Sequence, residues 1–184
     1  MKPDYSKDGG EFRRMTWRRW LPTVGSEKGR ILVDLIRRNQ PRRVLEVGTL
    51  IGYSAILMGR ELGSHSELIT IEIDEDEAEE ARENIAKARI KARMEVLVGD
   101  ALEVLPKLNG QFDFVFLDAE KDEYLNYLRL VEDKIHKGTV IVADNAGASA
   151  WAMRDYLDYV RNSGSYESRF IRVGWDGMEI SIKL

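Results

Sequence analysis

The chain has no cysteine, which excludes disulfides and thiolate zinc sites. It has only two histidines in 184 residues. His65 falls in the polar turn Gly63-Ser64-His65-Ser66 and His136 stands beside Lys137-Gly138, so both read as solvated loop residues rather than ligands or bases. An apolar run of transmembrane length and a signal-peptide pattern are both missing, which points to a soluble, cytoplasmic protein without membrane partners. An excess of basic charge is missing too. With 28 Lys and Arg against 32 Asp and Glu, the net charge of -4 offers no global case for nucleic-acid binding. Internal repeats, low-complexity tracts and linkers are absent, and residues 1–184 fit a single domain with a sizeable core.

What is present is an alternation of strand and helix signals. Short β-favouring runs are expected at 44–47, 68–73, 94–98, 112–117, 139–143, 166–173 and 178–184, the last two as an antiparallel pair around Gly174-Trp175-Asp176-Gly177. Between them, helices are expected from Ser26 as cap to about Arg38, then at 53–62, 74–88, 101–108, 122–133 and 150–161. Buried helix positions are expected at Ile31, Leu32, Leu35 and Ile36, and at Trp151, Tyr156, Leu157 and Val160. The pattern predicts an α/β fold with an open, mostly parallel sheet covered by helices on both faces. Residues 1–10 read as frayed, and 11–20 as an amphipathic segment interleaving Arg13, Arg14, Arg18 and Arg19 with Phe12, Trp17 and Trp20. That segment suits packing on the domain edge, or a lid or RNA contact.

The stretch Arg43 to Ser54 organises the rest. It reads as a buried strand (Val44, Leu45, Val47), a turn bearing Gly48 and Gly52, and the start of a helix. A dinucleotide fingerprint wants glycine two positions after Gly48, where Leu50 stands; a P-loop wants lysine after Gly52, where Tyr53 stands. The remaining Glu-x-Gly-x-x-x-Gly turn, with Glu46 before it, suits a ligand that lacks phosphates and carries a cationic amine, such as S-adenosylmethionine (SAM). The same spacing also serves as a plain turn.

In a parallel sheet, ligands bind beyond the carboxyl ends of the strands. Acids stand at nearly every predicted end: Glu46, Glu72, Asp100, Asp118 and Asp144. Glu72, at the end of the second strand, is placed to take both ribose hydroxyls of an adenosine, while Asp74 more naturally caps the next helix. Asp118, Asp144 and Asn145 offer two carboxylates and an amide oxygen, a set suited to Mg²⁺ or a similar hard cation; helix capping and a turn are the alternative roles. Lys121 follows Asp118 by three residues at the same crevice, where a partly desolvated lysine can act as a base.

These blocks in order resemble a class I SAM-dependent methyltransferase of the cation-dependent catechol and caffeoyl-CoA O-methyltransferase branch. The blocks are Val24-Gly25 with Lys28-Gly29, Leu45-Glu46-Val47-Gly48 with Gly52-Tyr53-Ser54, Ile71-Glu72, Gly99-Asp100-Ala101, Asp118 with Lys121 and Tyr124, Asp144-Asn145, and Trp175-Asp176-Gly177. The resemblance implies a Rossmann-like seven-stranded sheet with one antiparallel strand. It implies Asp118, Asp144 and Asn145 as metal ligands, Lys121 as catalytic base and Glu72 as ribose clamp. Glu46, Gly48, Tyr53 and Ser54 would line the methionine end of SAM, with Val24 nearby. Gly99, Asp100 and Ala101 would serve the cofactor too, Ala101 on the adenine side, and so would Asp118. The implied partner is a small-molecule hydroxyl acceptor, with homodimers expected. One departure is the short link Ala146-Gly147-Ala148-Ser149, where the family usually carries an insertion. An open site there suits a larger acceptor such as a hydroxylated uridine in tRNA. A non-catalytic SAM-binding module is the remaining alternative, disfavoured because the implied ligands and base are all present.

Overall fold

The computed structural model describes residues 24–184. Its strands are β1 (Arg43–Val47), β2 (Glu67–Glu72), β3 (Arg93–Val98), β4 (Phe112–Leu117), β5 (Ile135–Ala143), β6 (Tyr166–Val173) and β7 (Asp176–Lys183). They form one sheet in the order β3-β2-β1-β4-β5-β7-β6. The pairs among β1 to β5 are parallel, and β7 alone runs opposite to the other strands, pairing antiparallel with both β5 and β6. The α-helices are α1 (Gly25–Asn39), α2 (Tyr53–Glu61), α3 (Glu75–Ala88), α4 (Ala101–Val104), α5 (Tyr124–Val131) and α6 (Arg154–Asn162). This is a Rossmann-like, doubly wound α/β fold. No described helix is long and apolar enough to cross a membrane.

The two-residue period of the strands divides the core. Leu45, Val47, Ile69, Ile71, Val115 and Leu117 face Tyr124, Leu128, Tyr156 and Val160 of α5 and α6. Val44, Leu68, Phe114, Phe116, Val140 and Val142 face Leu32, Ile36, Ala55 and Met58 of α1 and α2. Burial on both faces is why the strands read as nearly continuous apolar runs.

Strand order reverses between β1 and β4, and a ligand crevice opens at such a point. Single ladder bonds continue past the strand ends and align the residues that follow. Gly99 N donates to Glu72 O at 2.8 Å, Gly48 N to Ile71 O at 3.0 Å, Asp118 N to Val47 O at 2.9 Å and Asp144 N to Leu117 O at 2.9 Å. Glu72 at the end of β2 and the acids after β4 and β5, Asp118 and Asp144, are thereby set along one edge.

Several expectations need correction. Ser26 does not cap α1: Val24 occupies that position, without a side-chain cap bond. Ile73 is 71 % exposed and lies beyond β2. β5 starts at Ile135 rather than 139, because a register shift between Phe112 and Phe114 absorbs the Lys137-Gly138 turn signal. Thr139 stitches that irregularity, donating from Oγ1 to Phe112 O and accepting from His136 N. His136 therefore lies in a strand, with Nε2 2.9 Å from Asp113 Oδ1. α6 starts at Arg154 rather than 150, leaving Trp151 82 % exposed in a run of turns. The frayed end 1–10 and the Arg–Trp segment 11–20 lie outside the described residues.

Gly48 (φ 97°) and Gly52 (φ 85°) both hold left-handed backbone. A Cβ on Gly48 would collide with the Asp118 carbonyl, whereas one on Gly52 would sit 3.4 Å from Ala81 Cβ. The glycine turn is therefore required by the chain's own β1–β4 approach. Both alanine substitutions strain the backbone, but Gly48→Ala adds the collision and should cost about 1–3 kcal/mol more than Gly52→Ala in urea unfolding. Equal losses would show that the two strand ends part freely.

Candidate active site

A cavity of about 470 Å³ opens over the carboxyl ends of β1, β2 and β4. Val24, Gly48, Tyr53, Ser54, Glu72, Gly99, Asp100, Ala101, Asp118, Lys121 and Asn145 line it, so the structure brings together eleven of the residues singled out from the sequence. Glu46 and Asp144 do not line it; both lie buried behind its wall.

Glu72 organises the floor. Its Oε2 accepts from Thr49 N (3.1 Å) and Leu50 N (2.7 Å), and its Oε1 accepts from Ile73 N (2.9 Å) and Asp74 N (3.1 Å). A carboxylate offers about four lone-pair directions, and here backbone donors take all of them. A ribose diol at this place would have to share them. The bond to Leu50 also explains how a non-glycine residue holds φ 48° in this turn. Asp74 caps α3, its side chain accepting from Asp76 N and Glu77 N.

Glu46 sits in β1 on the face covered by α1 and α2, fully buried, and neither of its oxygens has a well-directed hydrogen bond. Burial pushes its pKa up to about 8, the Ser54 and Thr70 hydroxyls offset part of the rise, and the charges of Asp118 and Glu72 add to it. An orphaned buried carboxyl behind the cavity wall fits a cavity built for a cationic ligand group.

Lys121 Nζ donates to Asp118 Oδ1 at 2.9 Å and to the Tyr124 hydroxyl at 3.0 Å. Tyr124 in turn donates to Leu117 O at 2.9 Å, which turns its lone pairs toward the lysine. A second lysine, on α1, was not picked out as a site residue. Lys28 Nζ stands 2.6 Å from both Asp144 Oδ1 and Asp176 Oδ2, with only 10 % of its side chain exposed. Burial disfavours its charge, but the bonds to Asp144 and Asp176 outweigh burial and hold its pKa above the ordinary value. Asp144 is pushed up to about 6, chiefly by burial and then by the charge of Asp118, with Lys28 opposing both. Asp176 resists burial through Ala148 N–H, Lys28 and Asn145, which hold its carboxyl well below the usual range.

Two like charges held at neighbouring strand ends, with a carboxamide beside them, are hard-oxygen donors of the kind a divalent cation takes. Among the described residues, no three His, Cys, Asp or Glu side chains group as ligands, so the third protein donor would be the Asn145 amide oxygen. Asn145 Nδ2 donates to Asp176 Oδ2 at 2.8 Å, which leaves that oxygen free. The residues present therefore fit a cation held by Asp118, Asp144 and Asn145. In the sequence Lys28 and Asp176 stand only as members of the short blocks Lys28-Gly29 and Trp175-Asp176-Gly177. Their partnership spans 148 residues, and no local pattern encodes such a pairing.

Comparison with known proteins gives consistent matches. The family described as O-methyltransferase matches residues 8–154. Catechol O-methyltransferase B of zebrafish (Danio rerio) is 38% identical over 180 residues, covering 91% of this chain and 67% of that protein. Catechol O-methyltransferase of Mycobacterium tuberculosis is 35% identical over 175 residues, covering 86% of this chain and 80% of that protein. Among solved structures, the O-methyltransferase TomG of Streptomyces achromogenes, in complex with SAM, superposes with a TM-score of 0.88 at 28% identity, covering 99% of this chain and 91% of that one.

Two outcomes follow from the buried acids. Because the folded-state pKa of Glu46 lies above its ordinary 4.5, its contribution to stability is complete below that value and is lost as pH rises through about 8. Glu46→Gln should therefore raise the melting temperature relative to wild type at pH 9 and change it little at pH 4; an equal change at both would place the carboxyl in water. Glu72→Ala should lower stability by at least about 2 kcal/mol in urea unfolding, since it strips acceptors from four backbone N–H groups. It should also weaken SAM binding in calorimetry. Unchanged stability would mean water replaces the carboxylate.

Proposed function

The chain belongs to the SAM-dependent O-methyltransferase family, and from that premise we propose that it methylates a small molecule bearing two neighbouring oxygens, with Lys121 as general base and a divalent cation on Asp118, Asp144 and Asn145. The observation that carries this reading is that Asp118, Lys121 and Asn145 line the same cavity as Gly48, Glu72 and Ala101. Cofactor and acceptor can then meet without a barrier between them.

SAM supplies a methyl on a sulfonium: the acceptor oxygen forms the new C–O bond, the C–S bond breaks, and S-adenosylhomocysteine leaves with the electron pair. A bound divalent cation would supply charge that lowers the pKa of the acceptor hydroxyl. The chain's own groups do the rest. Glu72 holds the β1–α2 turn closed around the adenosine end, and Gly99, Asp100 and Ala101 form the wall after β3. Glu46, buried behind the wall and protonated near neutral pH, would ionise as a cationic group comes close, and so answers the amino-acid end of SAM. Asp118 and Tyr124 hold Lys121 Nζ at the cavity wall, in place to receive the acceptor's hydroxyl proton. Holding the acceptor oxygen in line with the methyl supplies much of the rate. A tRNA acceptor rested on the short link Ala146–Ser149 and on the Arg–Trp segment, which lies outside the described residues; the catechol O-methyltransferases among the relatives favour the small molecule.

The reading is tested by turnover of a catechol with SAM. EDTA should abolish transfer and Mg²⁺ should restore it. Asp144→Ala should lose cation-dependent turnover yet keep SAM binding. Lys121→Ala should lower kcat by about a hundredfold or more. Turnover indifferent to EDTA would remove the cation from the mechanism, and an unimpaired Lys121→Ala would remove the base.

A further inference from the structure

An asparagine beside an ion has two chemically opposite ends. Its oxygen attracts a cation, and its NH₂ repels one. Asn145 sits at φ 58° directly after β5, at the cavity wall, with its amide end decided by one neighbour. That neighbour is Asp176, the first residue of β7, 5 % exposed. An ionised carboxylate only accepts hydrogen bonds, so Asp176 Oδ2, at 2.8 Å, can face Nδ2 but not the amide oxygen.

Asp176 is itself locked. Its Oδ1 accepts from Gly147 N at 3.1 Å and Ala148 N at 2.7 Å, and its Oδ2 receives Lys28 Nζ at 2.6 Å. Ala146 N donates to Gly177 O at 3.0 Å, pinning the same loop. A Cβ on Gly147 would lie 2.8 Å from the Asp176 carbonyl carbon, so glycine permits the close approach. The Lys28 ammonium also holds Asp144 Oδ1, so one buried cation steadies Asp144 and Asp176 together.

We propose that Asp176 is the positioning residue of the cation site, anchoring Asn145 by its amide nitrogen so that the amide oxygen is the end presented with Asp118. The inference rests on the cation reading given above. Asp176 does not line the cavity and acts through Asn145, which does. A residue that merely braced the β6–β7 turn would affect stability without any preference for the asparagine.

The test is Mn²⁺ binding to the full chain, read by water-proton relaxation with no acceptor present, alongside SAM affinity by calorimetry. Asp176→Ala and Asn145→Ala should each weaken Mn²⁺ binding tenfold or more, with SAM affinity within about threefold of wild type. The double variant should be no weaker than Asn145→Ala by more than about threefold, because the two losses are one loss. Asp176→Asn keeps the volume and serves if the alanine variant does not fold; it should weaken Mn²⁺ binding likewise, because the carboxylate that accepts from both Lys28 and Asn145 is gone. Wild-type Mn²⁺ affinity in a folded Asp176 variant, with Asn145→Ala impaired, would overturn the positioning role and leave the cation reading standing. Additive losses in the double variant would also overturn it. A wild-type chain that binds no Mn²⁺ would overturn the cation reading and this inference together.

Discussion

A missing side chain sets the geometry of the cavity. The β1–α2 turn passes so close to the backbone after β4 that only glycine fits at position 48. The contact brings the end of β1 against Asp118, where the strand order reverses. Everything the cavity offers depends on that approach, from the turn held by Glu72 to the lysine tethered to Asp118. Were the ends held apart by a methyl group, the residues around Glu72 and those around Lys121 would no longer share one wall.

The second constraint is electrostatic. Glu46, Glu72, Asp118, Asp144 and Asp176 crowd the carboxyl edge of the sheet, three of them at 5 % exposure or less. Burying so many like charges is unfavourable unless each is paired or hydrogen-bonded. The structure meets this in three ways. Glu72 is satisfied by four backbone donors, and Asp144 and Asp176 share the Lys28 ammonium. Glu46 has only poorly directed contacts with the Ser54 and Thr70 hydroxyls and holds its proton to higher pH. The acids with partners shape the site, while the orphaned one marks where a positive ligand group would be welcome. Breaking a buried pair such as Lys28–Asp176 by removing one partner leaves an uncompensated charge, which makes such pairs stiff fixtures.

Much of this was legible in the chain itself. Alternating strand and helix signals determined the α/β class, because strands buried on both faces need apolar runs of strand length. The strand Phe112–Leu117 and the antiparallel pair Tyr166–Val173 with Asp176–Lys183 follow from local composition and the turn between them. The acids at strand ends were visible because a parallel sheet puts its ligands there. Local signals failed where tertiary contacts overrode them. Gly138 reads as a turn, yet Thr139 ties it into a bulged strand. Trp151 reads as a core residue on an early helix, yet the clamp of Asp176 on Gly147 and Ala148 keeps that stretch in turns and leaves the indole in water.

Sequence alone determined which chemical groups stand at the strand ends, since that depends on residue type and on a periodicity of two. Only the tertiary structure decided what those groups do to one another. Lys28 reads as an ordinary helix lysine, and its ion pairs with Asp144 and Asp176 exist only because α1 packs across the sheet near the start of β7. Glu72 reads as a free carboxylate at the end of its strand, and one of its oxygens proves to be engaged by a turn more than twenty residues earlier. The amide of Asn145 has an orientation only because Asp176 accepts from it. Pairings between residues so distant in the chain are set by packing of elements, and no spacing within one element records them.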